Sequence, residues 1–274
     1  MPVNSRGRLW LTMSESSEQI EHVTALWLRS RRAVALTGAG LSTGSGIPDF
    51  RNPQSGIWSA NDPMAVASLE TFRYAPEKFY AWVRPLARQI RQAEPNAAHR
   101  ALATLEMQGK LHTLITQNID ELHRRAGSQH VLELHGSLHT ATCVRCRRVW
   151  PATERVDRFV TDGQMPHCPE CNGLLKPDVT LMGEQLPVAV MRAAQAAARE
   201  CDLMIVAGSS LEVMPAAGLP VEALNNGARL VVVNAQPTYI DERADVVIQG
   251  DVVEVLPALG AALTAAVGVS DGPR

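Results

Sequence analysis

Residues 33–51 read "AVALTGAGLSTGSGIPDFR", a short apolar run that breaks into a glycine-rich turn. "AVAL" (33–36) has the length and composition of a strand buried on both faces of a parallel sheet. Gly38-x-Gly40 directly after it lets the backbone approach a pyrophosphate, and the free N–H groups of a following helix would complete an anion cradle. The third glycine is Gly44, one place late for the dinucleotide fingerprint G-x-G-x-x-G. The acid that such sites place about 20 residues on, at the end of a second strand, is missing. No strand precedes Asp62, and Asp49 comes too early, so hydride transfer by a conventional NAD oxidoreductase is disfavoured. That leaves Ile47-Pro48-Asp49-Phe50-Arg51 to explain, a rigid turn followed by an acid, an aromatic and an arginine.

The α/β rhythm extends outward from this stretch. Upstream, Ser16-x-x-Gln19 reads as a capping box, with Ile20, Val23, Trp27 and Leu28 on one face of the helix it starts. Downstream, a helix over about 96–108 precedes the strands "LHTLIT" (111–116) and "HVLELHG" (130–136). An alanine-rich helix (188–199) precedes "DLMIVAG" (202–208), and a helix over about 215–227 precedes "ARLVVVN" (228–234). "ADVVIQG" (244–250) and a helix over 252–266 follow. Strands alternating with helices imply an α/β fold, a doubly wound parallel sheet covered on both faces. Two stretches depart from the rhythm. Residues 52–95 carry helical spacing and look like an insertion, and residues 137–177 hold cysteines, arginines and prolines with little apolar period.

With 274 residues, the chain can hold one large α/β domain and a smaller module. A net charge of -2 gives no electrostatic argument for nucleic acid or an anionic membrane surface. No apolar run approaches the roughly 18 residues that span a bilayer. The basic N-terminus "MPVNSRGRLWLTM" lacks an apolar signal core, so a cytoplasmic location is expected. Met13 is a second candidate start, and residues 1–13 and 267–274 are expected to be disordered tails.

Four of the five cysteines form two C-x-x-C pairs, Cys143/Cys146 and Cys168/Cys171, at a spacing close to that of zinc ribbons. Four thiolates close the coordination shell, so the metal is expected to be structural. Neighbouring His139 and His167 read as surface residues and Cys201 as core.

Several strands end in polar groups on what should be one edge of the sheet, where open α/β folds bind ligands. "TQNIDELH" (116–123) clusters Gln117, Asn118 and Asp120, and "ELHGS" (133–137) presents His135. "VAGSSLEVMP" (206–215) brings Ser209 and Ser210, and "VVVNAQPT" (231–238) brings Asn234. Several such strand ends on one edge describe a long ligand.

These motifs, in this order from about Leu26 to Leu263, resemble the sirtuins, the NAD-dependent protein deacylases. The resemblance implies a Rossmann-like sheet domain built from 14–51, 96–136 and 178–266. The helical insertion (52–95) and the zinc ribbon (137–177) would form a smaller domain. It further implies that NAD is a substrate to be broken. The nicotinamide and ribose would meet Ala39, Asp49, Phe50 and Arg51, with Gln117, Asn118 and Asp120 opposite, and Gly38, Gly40, Ser42, Trp58 and Ile119 would also bind the cofactor. The rest of the dinucleotide would lie on Gly208, Ser209, Ser210, Asn234, Ala235, Gln236 and Val252.

His135 looks like the general base, with Asn118 and Asp120 as its catalytic companions. In the family's chemistry the acyl-lysine oxygen attacks the ribose C1′ as nicotinamide leaves. The expected products are nicotinamide, free lysine and O-acyl-ADP-ribose. The acyl-lysine peptide would pair as a strand between Met182-Gly183-Glu184 and Leu211-Glu212-Val213. Cofactors are then NAD and one zinc held by Cys143, Cys146, Cys168 and Cys171. Acyl-lysine proteins are the expected partners, with no nucleic acid, no membrane and a monomeric state.

Two departures bear on specificity. Sirtuins that take acidic acyl groups carry Tyr-x-x-Arg, whereas Tyr80 and Arg84 here are separated by three residues. Met182 stands where an aromatic is common before Gly-Glu. The first weighs against succinyl-lysine and for deacetylation, and the second widens or softens the acyl channel. The alternative from the same site is mono-ADP-ribosyl transfer to a protein side chain. A nucleic-acid module using the locally basic "CVRCRR" (143–148) conflicts with the overall charge.

Overall fold

The computed structural model describes the backbone of residues 13–49 and 62–270. Phe50, Arg51 and Trp58 lie outside the described residues. The chain opens with α1 (Met13–Arg29) and β1 (Ala33–Thr37), then runs through α2 (Pro63–Val66), α3 (Leu69–Tyr74), α4 (Pro76–Gln92) and α5 (Ala97–Met107). Next come β2 (Thr113–Thr116), α6 (Leu122–Arg125), β3 (Val131–Glu133), β4 (Gly136–Cys143), β5 (Val149–Pro151), α7 (Thr153–Asp162) and β6 (Leu175–Val179). It ends with α8 (Val188–Glu200), β7 (Leu203–Ala207), α9 (Leu219–Asn225), β8 (Arg229–Asn234), β9 (Val246–Gln249) and α10 (Val252–Ser270).

Six strands form one parallel sheet in the order β3-β2-β1-β7-β8-β9. The order reverses between β1 and β7, where such sheets open a crevice at their carboxyl ends. All five residues of β1 are buried, which is why its sequence shows no polar alternation. The period of two survives in where the side chains go. Ala33 and Ala35 join one apolar layer with Trp27, Leu102 and Leu259, while Val34 and Leu36 join the other with Ala194, Ala198 and Leu219. Fully burying each of these larger side chains stabilises the fold by about 1.5–3 kcal/mol.

A second, three-stranded antiparallel sheet, β5-β4-β6, carries the two C-x-x-C pairs at its end. Helices α3, α4 and α7 close around Phe72, Phe79, Tyr80 and Phe159, whose rings meet edge-on at centroid separations of 5.2–5.3 Å for the nearest pairs. Arg84 and Arg88 on α4 donate to the carbonyls of Val160 and Thr161 on the last turn of α7. A helix end would otherwise leave those acceptors unpaired.

The structure revises several boundaries. α1 begins at Met13, so Ser16 lies within the helix and Ser16-x-x-Gln19 is not a capping box. β2 begins at Thr113, two residues late, because His112 bonds to Ala33 ahead of the ladder. α10 runs on to Ser270, into the stretch expected to be a disordered tail. Residues 137–177, which lack an apolar period, contain most of β4, β5 and β6 and all of α7.

Candidate functional site

The carboxyl ends of β1, β2, β7 and β8 open onto a cleft of about 2290 Å³ that reaches across to α4. Its floor is two interlocked glycine turns. Gly38 N–H donates to Ala207 O at 3.3 Å and Gly40 N–H to Gly208 O at 2.9 Å. A Cβ on Gly40 would sit 2.9 Å from Gly208 O, and one on Gly208 (φ 64°) would sit 2.5 Å from Leu41 N. Only glycine permits this approach. No α-helix follows the first turn. Residues Ala39–Leu41 and Thr43–Ser45 instead form two short 3-10 turns, so the expected helix N-terminus is replaced by turn N–H groups. Gly44, the late third glycine, lies against Val253 on α10.

The polar wall comes from the loop after β2. Asn118 Nδ2 donates to Gly38 O at 3.1 Å and to Ser42 Oγ at 3.0 Å, tying the β2 end to the glycine turn. Ser42 Oγ in turn donates to Asp120 Oδ2 at 2.6 Å, and Asp120 Oδ1 accepts the Leu122 N–H at 3.0 Å. Burial pushes the Asp120 carboxyl above its ordinary range, opposed by these same bonds. Gln117 Nε2 reaches across to Ser209 Oγ at 2.9 Å. His135 Nδ1 lies 2.8 Å from Gln117 O. A carbonyl can only accept, so Nδ1 carries the proton and Nε2 is the basic nitrogen.

Gly38, Ala39, Gly40, Asp49, Gln117, Asn118, Ile119 and His135 all line the cleft, as do Gly208, Ser209, Ser210, Asn234, Ala235, Gln236 and Val252. Ser42 and Asp120 do not. They stand behind Asn118, 1 % and 5 % exposed. The sequence pattern missed Ile47 and Gly250-Asp251, which also line the cleft. The loop after β9, on the same sheet edge as the others, was a signal for the last two.

On the α4 side the walls are mainly apolar and uncharged, built from Phe79, Trp82, Val83 and Leu86 with Ile119, Val179 and Leu181, and Gln89 is the one polar side chain that α4 adds. Tyr80 and Arg84 are turned away. The Tyr80 hydroxyl donates to Leu175 O on β6, and burial raises its pKa. Arg84 is committed to the end of α7.

The mouth of the cleft is bounded by Met182-Gly183-Glu184 and Glu212-Val213. Met182 is already paired, donating to Ala67 O and accepting from Leu69 N, both at 2.9 Å. Glu184 is held by the Leu181 N–H at 2.8 Å and by Lys176 Nζ at 3.0 Å. Leu211, also expected on the peptide edge, has φ 55°, is 3 % exposed and packs in the core beneath.

The four cysteines bring their Sγ atoms within 4.8 Å of one another, with Cys143–Cys171 at 3.4 Å and Cys146–Cys168 at 3.8 Å. Zinc–sulfur bonds of about 2.3 Å in a tetrahedron give edges of about 3.8 Å, so the set fits a structural zinc. His167 instead bonds Met165 O at 2.8 Å, and His139 pairs with Glu121 at 3.3 Å.

Comparison with known proteins agrees with this geometry. The profile of the Sir2 family matches residues 38–215. An NAD-dependent protein deacetylase 1 of Geobacillus kaustophilus is 42 % identical over 238 residues, covering 86 % of this chain and 96 % of that protein. A structure determined for the mechanism and regulation of Sir2 enzymes superposes with a TM-score of 0.85 at 41 % identity, over 91 % of this chain and 99 % of the other. A Sir2 variant captured with a deacetylated p53 peptide and 3′-O-acetyl-ADP-ribose matches with a TM-score of 0.82 at 40 % identity, over 88 % and 96 %.

Proposed function

The chain belongs to the Sir2 family and is an NAD-dependent protein deacylase, and we propose that it prefers short, neutral acyl groups on lysine, with His135 as general base. The observation that carries this reading is the channel wall. Phe79, Trp82, Val83 and Leu86 offer an acyl chain no charge, while Tyr80 and Arg84 are spent on carbonyls elsewhere. An acidic acyl group would have to bury its carboxylate against apolar side chains, at a cost that favours a neutral one.

NAD, as co-substrate, supplies a ribose carbon that becomes electrophilic as nicotinamide leaves. The residues of the chain bind, orient and move a proton around it. Gly38, Gly40 and Gly208 give the backbone its close approach to the dinucleotide. Asn118, fixed by Gly38 O and Ser42, presents its amide edge at the nicotinamide end, and Asp120 holds that arrangement from behind. His135 keeps Nδ1–H on Gln117 O, so its Nε2 takes the proton from a ribose hydroxyl. Imidazole suits this step because its ordinary titration lies near neutral pH.

The substrate strand runs between Gly183-Glu184 and Glu212-Val213, where backbone pairing asks little of its sequence. This support for a peptide comes from Gly183, Glu184, Glu212 and Val213 lining the cleft and from the acylated peptides bound by structurally similar Sir2 proteins. The four thiolates hold zinc away from the cleft, where the metal contributes folding energy and no step of the reaction. The division into a sheet domain (14–51, 96–136, 178–266) and a small domain (52–95, 137–177) is part of the proposal, supported by the packing of α4 on α7. So are a monomeric state and a cytoplasmic location. No helix among the described residues is long and apolar enough to cross a membrane.

The test compares kcat/KM for one peptide carrying acetyl-, propionyl- or succinyl-lysine. At least a tenfold preference for the neutral groups is expected. Equal use of succinyl-lysine would overturn the acyl reading.

A further inference from the structure

Two histidines lie behind the glycine turns, outside the cleft and outside the mechanism above. His99 on α5 is 0 % exposed and His123 on α6 is 2 % exposed. Their ring centroids are 4.8 Å apart with the planes tilted by 58°. His99 Nδ1 accepts the backbone N–H of Asn96 at 3.4 Å, closing the box that starts α5. A neutral His99 must then carry its proton on Nε2, and that buried N–H has no acceptor. His123 Nε2 is bonded to Thr37 Oγ1 at 2.9 Å, while its buried Nδ1 has no partner. Burial holds both rings neutral, His99 down to about 4 with a smaller push from Arg100, and His123 well below the ordinary value with His99 adding to it. Neighbouring rings thus hold one orphaned donor and one nitrogen able to accept, where buried polar groups are nearly always paired.

The bonds continue outward from His123 to the cofactor wall. Thr37 Oγ1 donates to Thr116 Oγ1 at 2.9 Å. Thr116 Oγ1 also accepts the backbone N–H of Asn118 at 3.1 Å. Thr37 has one hydroxyl proton and gives it to Thr116, so His123 must be the donor at Nε2. That requirement leaves Nδ1 unprotonated, the form that can accept from His99.

We propose that His99 and His123 form a tautomer-locked pair, with His99 Nε2–H given to His123 Nδ1 through one water. The lock sets the direction of the bonds through Thr37 and Thr116 and so holds Asn118 in register with Gly38. Both histidines are positioning residues, since neither touches the cleft. Only the activity arm of the test rests on the deacylase reading.

The first arm is nitrogen-15 NMR of the histidine rings in the wild-type protein. Both buried rings should be neutral with the proton on Nε2, and a proton on Nδ1 of either would overturn the pairing whatever the activity. The second arm substitutes His123. His123→Gln can place an N–H near the Nε2 position, whereas His123→Asn cannot reach Thr37. The Gln variant should keep at least a third of kcat for nicotinamide release, and the Asn variant should lose tenfold or more, with peptide KM within twofold in both. Equal turnover in the two variants, whether both active or both dead, would overturn the relay. A variant that fails to fold leaves the decision to the NMR arm, and a wild-type protein without deacylation would indict the function and not the tautomers.

Discussion

Asp120→Asn separates stability from catalysis in a way few positions can. The carboxylate accepts two bonds, from Ser42 Oγ at 2.6 Å and from the Leu122 N–H at 3.0 Å, and an amide can keep only the second. Losing a hydrogen bond to a charged group costs about 1.5–3 kcal/mol. The same substitution removes a buried charge whose desolvation already pushes the carboxyl pKa up. The two terms oppose each other, so folding stability should stay within about 1 kcal/mol of wild type at neutral pH, or roughly 2–4 °C in Tm.

Catalysis has no such compensation. With an amide behind it, Ser42 Oγ faces two N–H donors and its own proton lacks an acceptor, so the Asn118 clamp on Gly38 loosens. If the lost bond is felt in the transition state, kcat/KM for NAD falls roughly 10- to 150-fold. The sign with pH is also fixed. A carboxyl whose folded pKa is raised contributes stability below its unfolded pKa and loses it as pH rises through the folded value. The variant should therefore gain on wild type as pH rises above the ordinary carboxyl range. Nicotinamide release and thermal melts read both effects. A variant that melts far below wild type yet turns over normally per folded molecule would refute the reasoning.

His135→Ala should lower deacylation by about 10²–10⁴-fold, the range for a general base, while calorimetric NAD affinity changes less than about threefold. Loss of NAD binding as well would make His135 structural. Cys143→Ser should cost the bound zinc, measured by elemental analysis, together with a large drop in Tm. A variant that keeps its Tm and loses only turnover would contradict a structural metal. Tyr80→Phe leaves Leu175 O buried and unpaired, which should cost about 1–3 kcal/mol in denaturant unfolding without altering the acetyl-to-succinyl ratio. A changed ratio would place Tyr80 in the acyl channel.

The strand ends were legible because a fully buried strand has no reason to stop in Gln117-Asn118 or Gly208-Ser209 unless that edge is used. The metal set was legible from spacing alone. What the chain hides is side-chain direction at left-handed residues. Glu121 takes φ 65° and turns the backbone immediately after Asp120, which leaves that carboxylate behind the wall and not in the cleft. Leu211, at φ 55°, is likewise buried in the core. Neither residue is a glycine, so no composition signal marks the turn. The apolar wall of the cleft was partly hidden for another reason. Ile47, Leu86 and Val179 come from three separated segments, and each reads as ordinary core. The tautomer pair escaped notice because His99 and His123 look like isolated histidines in helices until α5 and α6 bring them together.

The central claim is that the cleft breaks NAD in order to take an acyl group from lysine. The most direct measurement is the mass balance of one reaction, with purified protein, NAD and an acetyl-lysine peptide followed by mass spectrometry. Free lysine peptide, nicotinamide and O-acetyl-ADP-ribose should appear in equal amounts. Nicotinamide released with the acetyl group still on the peptide would contradict the account and move the assignment to ADP-ribosyl transfer.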